Sequence, residues 1–453
     1  MISNKILPAI LIIGILLFSG LASAVFIQDN SPSNEGSLKK WTVMYYMCGD
    51  ASFEIYLSPM IDRLSAVGSS EDLNIVVLMD KTVKGDSKLY YINELGVKVE
   101  LNEEFGWEDE VDMSDLNTLE LFCKQMMIEY PAEYYALITC TSAGPGWQKY
   151  TLEDKDCVGR KNSIPAFADS VKNIVEYVNH KIDVLFVSCA MNTIEMAYEL
   201  SPYIDYIVGT QDCLTHNSIV PRFTDAVVDL GNDPSMSPED FSKRAPFRYT
   251  AEPFYYYESY YGDLPLLSKI LNKLPFEGLH TLIHFTSSSV INLSKIGELS
   301  KKLDDLCLNL IIDLKDKEIK EAVKRARKET QEYGNCYPKY PFLLRIYSKY
   351  SFNILSYDCV VDLYNFIEIL RYYIDNDYLR SQCNSILNFY DEVIPAISKV
   401  SYDNSNGLNI YFPKTKRQYN KYVLPGKIPC PYEDLQFSEN SKWDDFIKEY
   451  LSI

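Results

Sequence analysis

The sequence predicts an α/β protein in which a mostly parallel central sheet is layered between helices. Two patterns predict it: short, nearly continuous apolar runs recur along the chain, and amphipathic stretches of helical period separate them. Helices of ten or more residues between apolar strands require crossover connections, hence parallel pairing and right-handed units.

The elements follow in order. Trp41–Met47 is a β-rich run that stops at Cys48-Gly49-Asp50, and Asn74–Asp80 is a second run suited to burial on both faces. Asn117, with Glu120 three residues on, is placed to cap a helix whose stripe is Leu119, Phe122, Cys123, Met126 and Met127. Tyr135–Cys140 is the next strand, followed by a loop at Gly144-Pro145-Gly146-Trp147. Ser163 opens a helix with Ile164, Phe167, Ala168, Val171, Ile174, Val175 and Val178 on one face. Strand Ile182–Val187, helix Asn192–Leu200 and strand Tyr206–Gly209 complete the series.

Beyond it, 210–265 reads as irregular. It carries an aromatic patch from Tyr249 to Tyr261 that suits either a loop packed on the core or a peptide-binding wall. Residues 294–330 read as one or two long helices with a solvated Lys/Glu face from Lys315 to Lys328. Helices at 359–374 and 378–398 precede a strand at Leu408–Phe412.

Composition narrows function. The 453 residues carry 63 acidic and 44 basic side chains, a net charge of −19, which excludes a cationic nucleic-acid-binding face. Residues 1–24 have the order of a secretory signal: Lys5, an apolar run, then Ala22-Ser23-Ala24. Because apolar character continues to Ile27, residues 6–27 also suit an uncleaved membrane tether. Either way the remainder is expected outside the cytoplasm, secreted or at the cell surface, behind a polar linker at 25–39. The eleven cysteines include no CxxC pair and only four histidines accompany them, so no zinc spacing exists. Some disulfides are expected outside the cell, although an odd count leaves at least one thiol over.

Two strand ends invite chemistry, since open α/β sheets gather ligands at their carboxyl edge. At Val187-Ser188-Cys189-Ala190-Met191 a thiol stands at a strand-to-helix junction, either as a nucleophile favoured by the helix N-terminus or as a small buried residue. At Ala143-Gly144-Pro145-Gly146-Trp147 the glycines either let backbone amides face an oxyanion or simply make a tight loop.

Five segments in order resemble the clostripain family of cysteine peptidases. They are Trp41-Thr42-Val43 through Asp50 with Glu54; Glu110–Met113 with Asn117–Leu119 and Tyr130–Ile138; Cys189-Ala190-Met191 with Glu195, Ala197 and Tyr198; Val361–Tyr364; and Gly407–Pro413. The resemblance implies a caspase-like α/β/α sandwich over 40–265, with 266–453 a helix-rich C-terminal part of the same family region ending in a strand. It implies Cys189 as nucleophile and a peptide or protein ligand. Calcium is implied by the resemblance alone; the residues call for no cofactor or metal.

The departures from the family pattern bear on activity. Where the family carries the general-base histidine of His-Gly-x-Gly-Trp, this chain has Ala143, followed by Gly144 and Trp147 as the matching substrate-side residues. Where the family has the aspartate that lines the pocket for Arg or Lys, this chain has Val187, and Asn292 stands where an acid is usual. The expectation is therefore a pseudopeptidase that keeps the thiol and lacks its base. The alternative is an active endopeptidase of non-Arg/Lys specificity, with His216, read as a loop residue, as a relocated base. His180 lies at the wrong end of its strand for that role. The family's self-cleavage stretch corresponds to Lys149, Lys155, Arg160 and Lys161, which should stay intact in an inactive chain.

Overall fold

The computed structural model describes residues 38–50, 53–141, 146–150, 152, 154–155, 162–187, 190–211, 216–247, 287–333, 359–399, 404–423 and 429–453, with backbone alone at 216–218, 247 and 421–423. The expected signal or tether, the aromatic patch at 249–261, and Arg160 and Lys161 lie outside them.

β1 (Lys39–Cys48) pairs in parallel with β2 (Leu73–Asp80) on one side and β5 (Ala132–Cys140) on the other, with Tyr45 opposite Val77 and Ile138. β6 (Ile182–Phe186) and β7 (Ile204–Gly209) continue the parallel run beyond β5. The edges are antiparallel. β3 (Lys88–Ile92) and β4 (Lys98–Glu100) form a hairpin beside β2, while β8 (Ser288–Asn292) and β11 (Ala396–Ser398) extend the sheet past β7. The order is β11-β8-β7-β6-β5-β1-β2-β3-β4, nine strands in one sheet. A separate small sheet joins β9 (Glu332–Tyr333), β10 (Val360–Asp362) and β12 (Asn409–Tyr411).

Helices cover both faces, because alternate side chains of each central strand need apolar cover on each side. One face buries Met44, Leu137, Leu185 and Ile207 under α2 (Leu116–Glu129), α3 (Ile164–Val178) and α4 (Ile194–Leu200). The other buries Tyr45, Ile138, Phe186 and Val208 under α1 (Glu54–Val67), α5 (His216–Asn232) and α6 (Pro238–Phe247). Further helices α7 (Ile296–Asp313), α8 (Lys317–Glu329), α9 (Leu363–Tyr373), α10 (Asp377–Val393) and α11 (Trp443–Leu451) enlarge the first core. Residues Lys39–Ile453 form one compact unit.

Several expectations need correction. The cap of α2 is Asp115, whose carboxylate accepts from the Asn117 N–H at 3.0 Å, so the helix starts earlier than Asn117. Ser163 caps α3 as expected, accepting from the Ala166 N–H at 3.1 Å. The stretch 210–265, read as irregular, contains α5 and α6 in its described part; Pro221 and Pro246 lie inside those helices and disguise their period. The helix expected over 378–398 ends at Val393, and Ala396–Ser398 becomes an edge strand. Within the solvated face of 315–328, Arg327 is buried, its Nε donating to the Phe412 carbonyl at 2.6 Å and its Nη2 to Glu332 at 2.9 Å. The strand at 408–412 joins the small sheet, not the large one. Of the thiols for which disulfides were expected, Cys123, Cys140, Cys307, Cys383 and Cys430 are buried and unbridged.

Candidate functional site

The carboxyl ends of β5, β6 and β7 converge. Cys140 ends β5 and leads to the glycine turn; Val187 follows β6 and leads to Cys189; Gly209 ends β7 and leads through Gln211 to α5. Ala143, Gly144 and Cys189 lie outside the described residues, but their flanks are described and touch. A Cβ built on Gly146, which has φ +68°, would stand 3.2 Å from Thr193 Cγ2 and 3.5 Å from the Ala190 carbonyl. Gly146 therefore lies beside the residues that follow Cys189 in the chain. The positive φ, with the tight approach to Thr193, favours glycine there.

Ala190, directly after Cys189, is itself left-handed at φ +62°. Its N–H donates to Thr210 Oγ1 at 3.1 Å, which holds this unusual residue to the end of β7. Thr193 then caps α4, accepting from the Met196 N–H at 3.3 Å. The left-handed Ala190 and the Thr193 cap together set the path by which the chain enters α4.

Trp147 and Val187, both expected to contact substrate, are fully buried side chains. Trp147 packs edge-on against Tyr411 at 5.0 Å and Tyr432 at 4.9 Å. Its aromatic bulk anchors Gly146 to the C-terminal segment, and the indole itself is closed to solvent. Beneath this cluster Glu195 accepts from the Tyr411 N–H at 2.8 Å and from Tyr432 OH at 3.1 Å. Burial pushes its carboxyl up to about 7, against the opposing effect of those bonds.

The floor of the site is polar. Gln211 Nε2 donates to Asp362 at 2.8 Å and to Asn409 Oδ1 at 2.7 Å, while its Oε1 accepts from the Gly407 N–H at 2.6 Å. Asn409 Nδ2 donates back to the Gln211 carbonyl at 2.8 Å. Asn192 Nδ2 donates to Ser289 Oγ at 2.7 Å, and the Asn409 N–H donates to the Asn192 carbonyl at 2.9 Å. Desolvation raises the Asp362 carboxyl to about 6 despite bonds from Gln211, Asn365 and Asn406. Sequence reading singled out Gly407–Pro413 and Val361–Tyr364 separately; that they meet at Gln211 is set by tertiary packing.

Arg222, on α5, was missed altogether, because one Arg in an amphipathic helix carries no sequence signal. It is 1 % exposed. Its Nη2 donates to the Val187 carbonyl and, at 3.4 Å, to the Val208 carbonyl.

The remaining candidates resolve differently. His216 is the first residue of α5 and not a loop residue; sequence could not show that the helix starts there. His180 lies in the connection from α3 to β6, at the amino edge of the sheet, with Nδ1 2.7 Å from the Lys181 carbonyl. Asn292 makes an ordinary cap, accepting from the Ser294 N–H at 3.1 Å. Among the described residues no group of three or more His, Cys, Asp or Glu is placed to hold a metal ion, and no helix is long and apolar enough to cross a membrane.

Comparison with known proteins agrees with this geometry. The profile of the clostripain family, C11 peptidases, matches residues 45–216. No curated protein sequence matches the chain significantly. Among solved structures, an inactive zymogen C11 protease from Parabacteroides distasonis superposes with a TM-score of 0.56 at 15% identity, covering 89% of this chain and 99% of its own. A secreted C11 cysteine protease from Bacteroides thetaiotaomicron, solved with an irreversible peptide inhibitor, gives 0.53 at 17% identity, covering 84% and 96%. The chain therefore carries the fold of the caspase-like C11 proteases, a large central sheet, mostly parallel at its middle, between helical layers.

Proposed function

We propose that this chain is an exported, clostripain-like pseudopeptidase that retains the nucleophile position at Cys189 and binds a peptide or protein segment at the carboxyl edge of β5–β7. The observation that carries the reading is Ala143, at the head of the turn whose Gly146 abuts Ala190 and Thr193. The side chain in that position should take the thiol proton and later protonate the leaving amine, and a methyl group does neither. A thiol near its ordinary pKa of about 8.5 is only a few per cent thiolate at neutral pH. Loss of a positioned base costs roughly 10² to 10⁴ in rate. Val187 supplies no counter-charge for a basic substrate side chain, so Arg/Lys preference goes with the base. Export rests on residues 1–24, with 6–27 as the tether if the signal is not cleaved.

The test is labelling of the purified full chain with a peptidyl acyloxymethyl ketone, alongside a Cys189→Ala control and a peptide-cleavage assay. Slow labelling with no cleavage is expected. Rapid, Cys189-dependent labelling with cleavage would sink the reading in favour of an active endopeptidase of altered specificity. One observation favours that second reading: His216 heads α5, on the carboxyl side of β7 where a relocated base would have to stand.

A further inference from the structure

β4 ends the nine-strand sheet, and no strand among the described residues pairs with its outer side. The Leu101 N–H donates to the Leu89 carbonyl at 2.8 Å, and the Asn93 N–H donates to the Val97 carbonyl at 3.0 Å. With Val99 opposite Tyr91, residues 97, 99 and 101 therefore turn their backbone groups toward β3. By alternation Lys98 and Glu100 turn theirs outward, as a free edge. All three residues of β4 are exposed, and beside them Val97 is 53 % exposed. A lysine on an edge strand ordinarily deters pairing, since its charge meets no partner opposite. Here an opposite charge stands two residues away on the same face. Among the described residues Lys98 makes no ion pair, and Glu100 makes one, its Oε1 accepting from Lys88 Nζ at 3.0 Å.

We propose that this edge is the contact of a homodimer, in which β4 pairs antiparallel with β4 of a second copy about a two-fold axis at Val99. In that register Lys98 of each copy lies opposite Glu100 of the other, and the outward N–H and C=O groups of the two residues satisfy one another. Val99 meets its own equivalent in the close, non-hydrogen-bonded position, apolar against apolar. The alternatives fail for stated reasons. A slip by one residue sets outward backbone groups against groups already turned toward β3. A slip by two sets Lys98 against Lys98 or Glu100 against Glu100, and like charges directly opposite are destabilising. The edge is thus complementary to itself in one register, which is what a two-fold contact requires. Three strands, β1 to β3, separate β4 from β5, so the pairing is independent of the reading of Cys189.

The experiment is sedimentation equilibrium on the purified full chain across the micromolar range, comparing wild type, Lys98→Glu, Glu100→Lys and an equimolar mixture of the two variants. Wild type is expected to form a dimer. Each variant alone sets like charges opposite one another in both cross-strand pairs, and its dimer is expected to be weaker by roughly tenfold or more. In the mixture the two acids of one variant face the two lysines of the other, so a heterodimer about as tight as the wild-type dimer is expected. Wild type that stays monomeric overturns the proposal. So does association that is equally tight in wild type and both variants. So does a mixture no tighter than its components when each variant melts as cooperatively as wild type.

Discussion

The side-chain amide of Gln211 donates to the carboxylate of Asp362 at 2.8 Å and so ties the exit of β7 to the start of α9, 151 residues later. Around this bond the backbone of Gly407, the side chain of Asn409 and the side chain of Asn406 are also satisfied. Gln211, Asp362 and Asn409 are all buried. Buried networks of this kind are costly to break from one side.

Gln211→Ala is accordingly expected to destabilise the fold by about 3 kcal/mol or more, since it leaves Asp362, Asn409 and the Gly407 N–H short of partners. Urea denaturation measures this. A double-mutant cycle with Asp362→Asn should show a coupling of about 1–3 kcal/mol, as for residues in one network. A loss below 1 kcal/mol would mean that water replaces the amide.

Glu195 gives the fold a pH dependence of defined sign. Burial raises its carboxyl to about 7, above an unfolded value of about 4.3, so the folded state holds the proton more tightly. The stabilisation is complete below the unfolded value and is lost as pH rises through about 7. Glu199 and Asp80, each also pushed up to about 7 by burial, act in the same direction. Glu195→Gln should flatten the stability profile between roughly pH 4 and 7, and above pH 8 should equal or exceed wild type by on the order of 2 kcal/mol. Thermal melts across that range settle it; an unchanged slope would mean that Glu195 is ionised when folded.

Ala190 carries the strain of the turn after Cys189. At φ +62° a β-branched side chain is disfavoured and glycine is at ease. Ala190→Val is expected to cost about 1–3 kcal/mol. In Ala190→Gly the relief of strain is offset by unfolded-state entropy, for a net change within about 0.5 kcal/mol. Equal stability of the Val and Gly variants would count against a left-handed residue 190.

Restoring an imidazole tests the placement of the turn. Ala143→His should speed alkylation of Cys189 by a neutral haloacetamide at pH 7 by roughly tenfold or more, by raising the thiolate fraction. The rate should hold below pH 7, because the protonated imidazole stabilises the thiolate, and fall only as the thiolate itself takes up a proton. A folded Ala143→His protein with wild-type reactivity at every pH would show that residue 143 does not face the sulfur.

Much of the core was legible because its pattern is strong. β1, β2 and β5 are buried on both faces, and the α3 stripe has a clean helical period behind a Ser163 cap. α5 and α6 escaped because internal prolines mimic loop chemistry, and β11 because three residues carry too little pattern to be told from a helix end. The glycine turn and the cysteine junction were found as separate motifs. Their meeting at Gly146 and Thr193, like the burial of Trp147 between Tyr411 and Tyr432, depends on contacts between residues far apart in the chain.

By itself the sequence determined the layered α/β architecture, the cysteine at a strand-to-helix junction and the alanine at the head of the glycine turn, since periodicity and residue identity are local properties. Only the tertiary structure decided that Arg222 of α5 is buried against the carbonyls of Val187 and Val208, and that Gln211 binds Asp362. Charge compensation depends on which groups a fold removes from water together, and that is settled by packing, not by order along the chain.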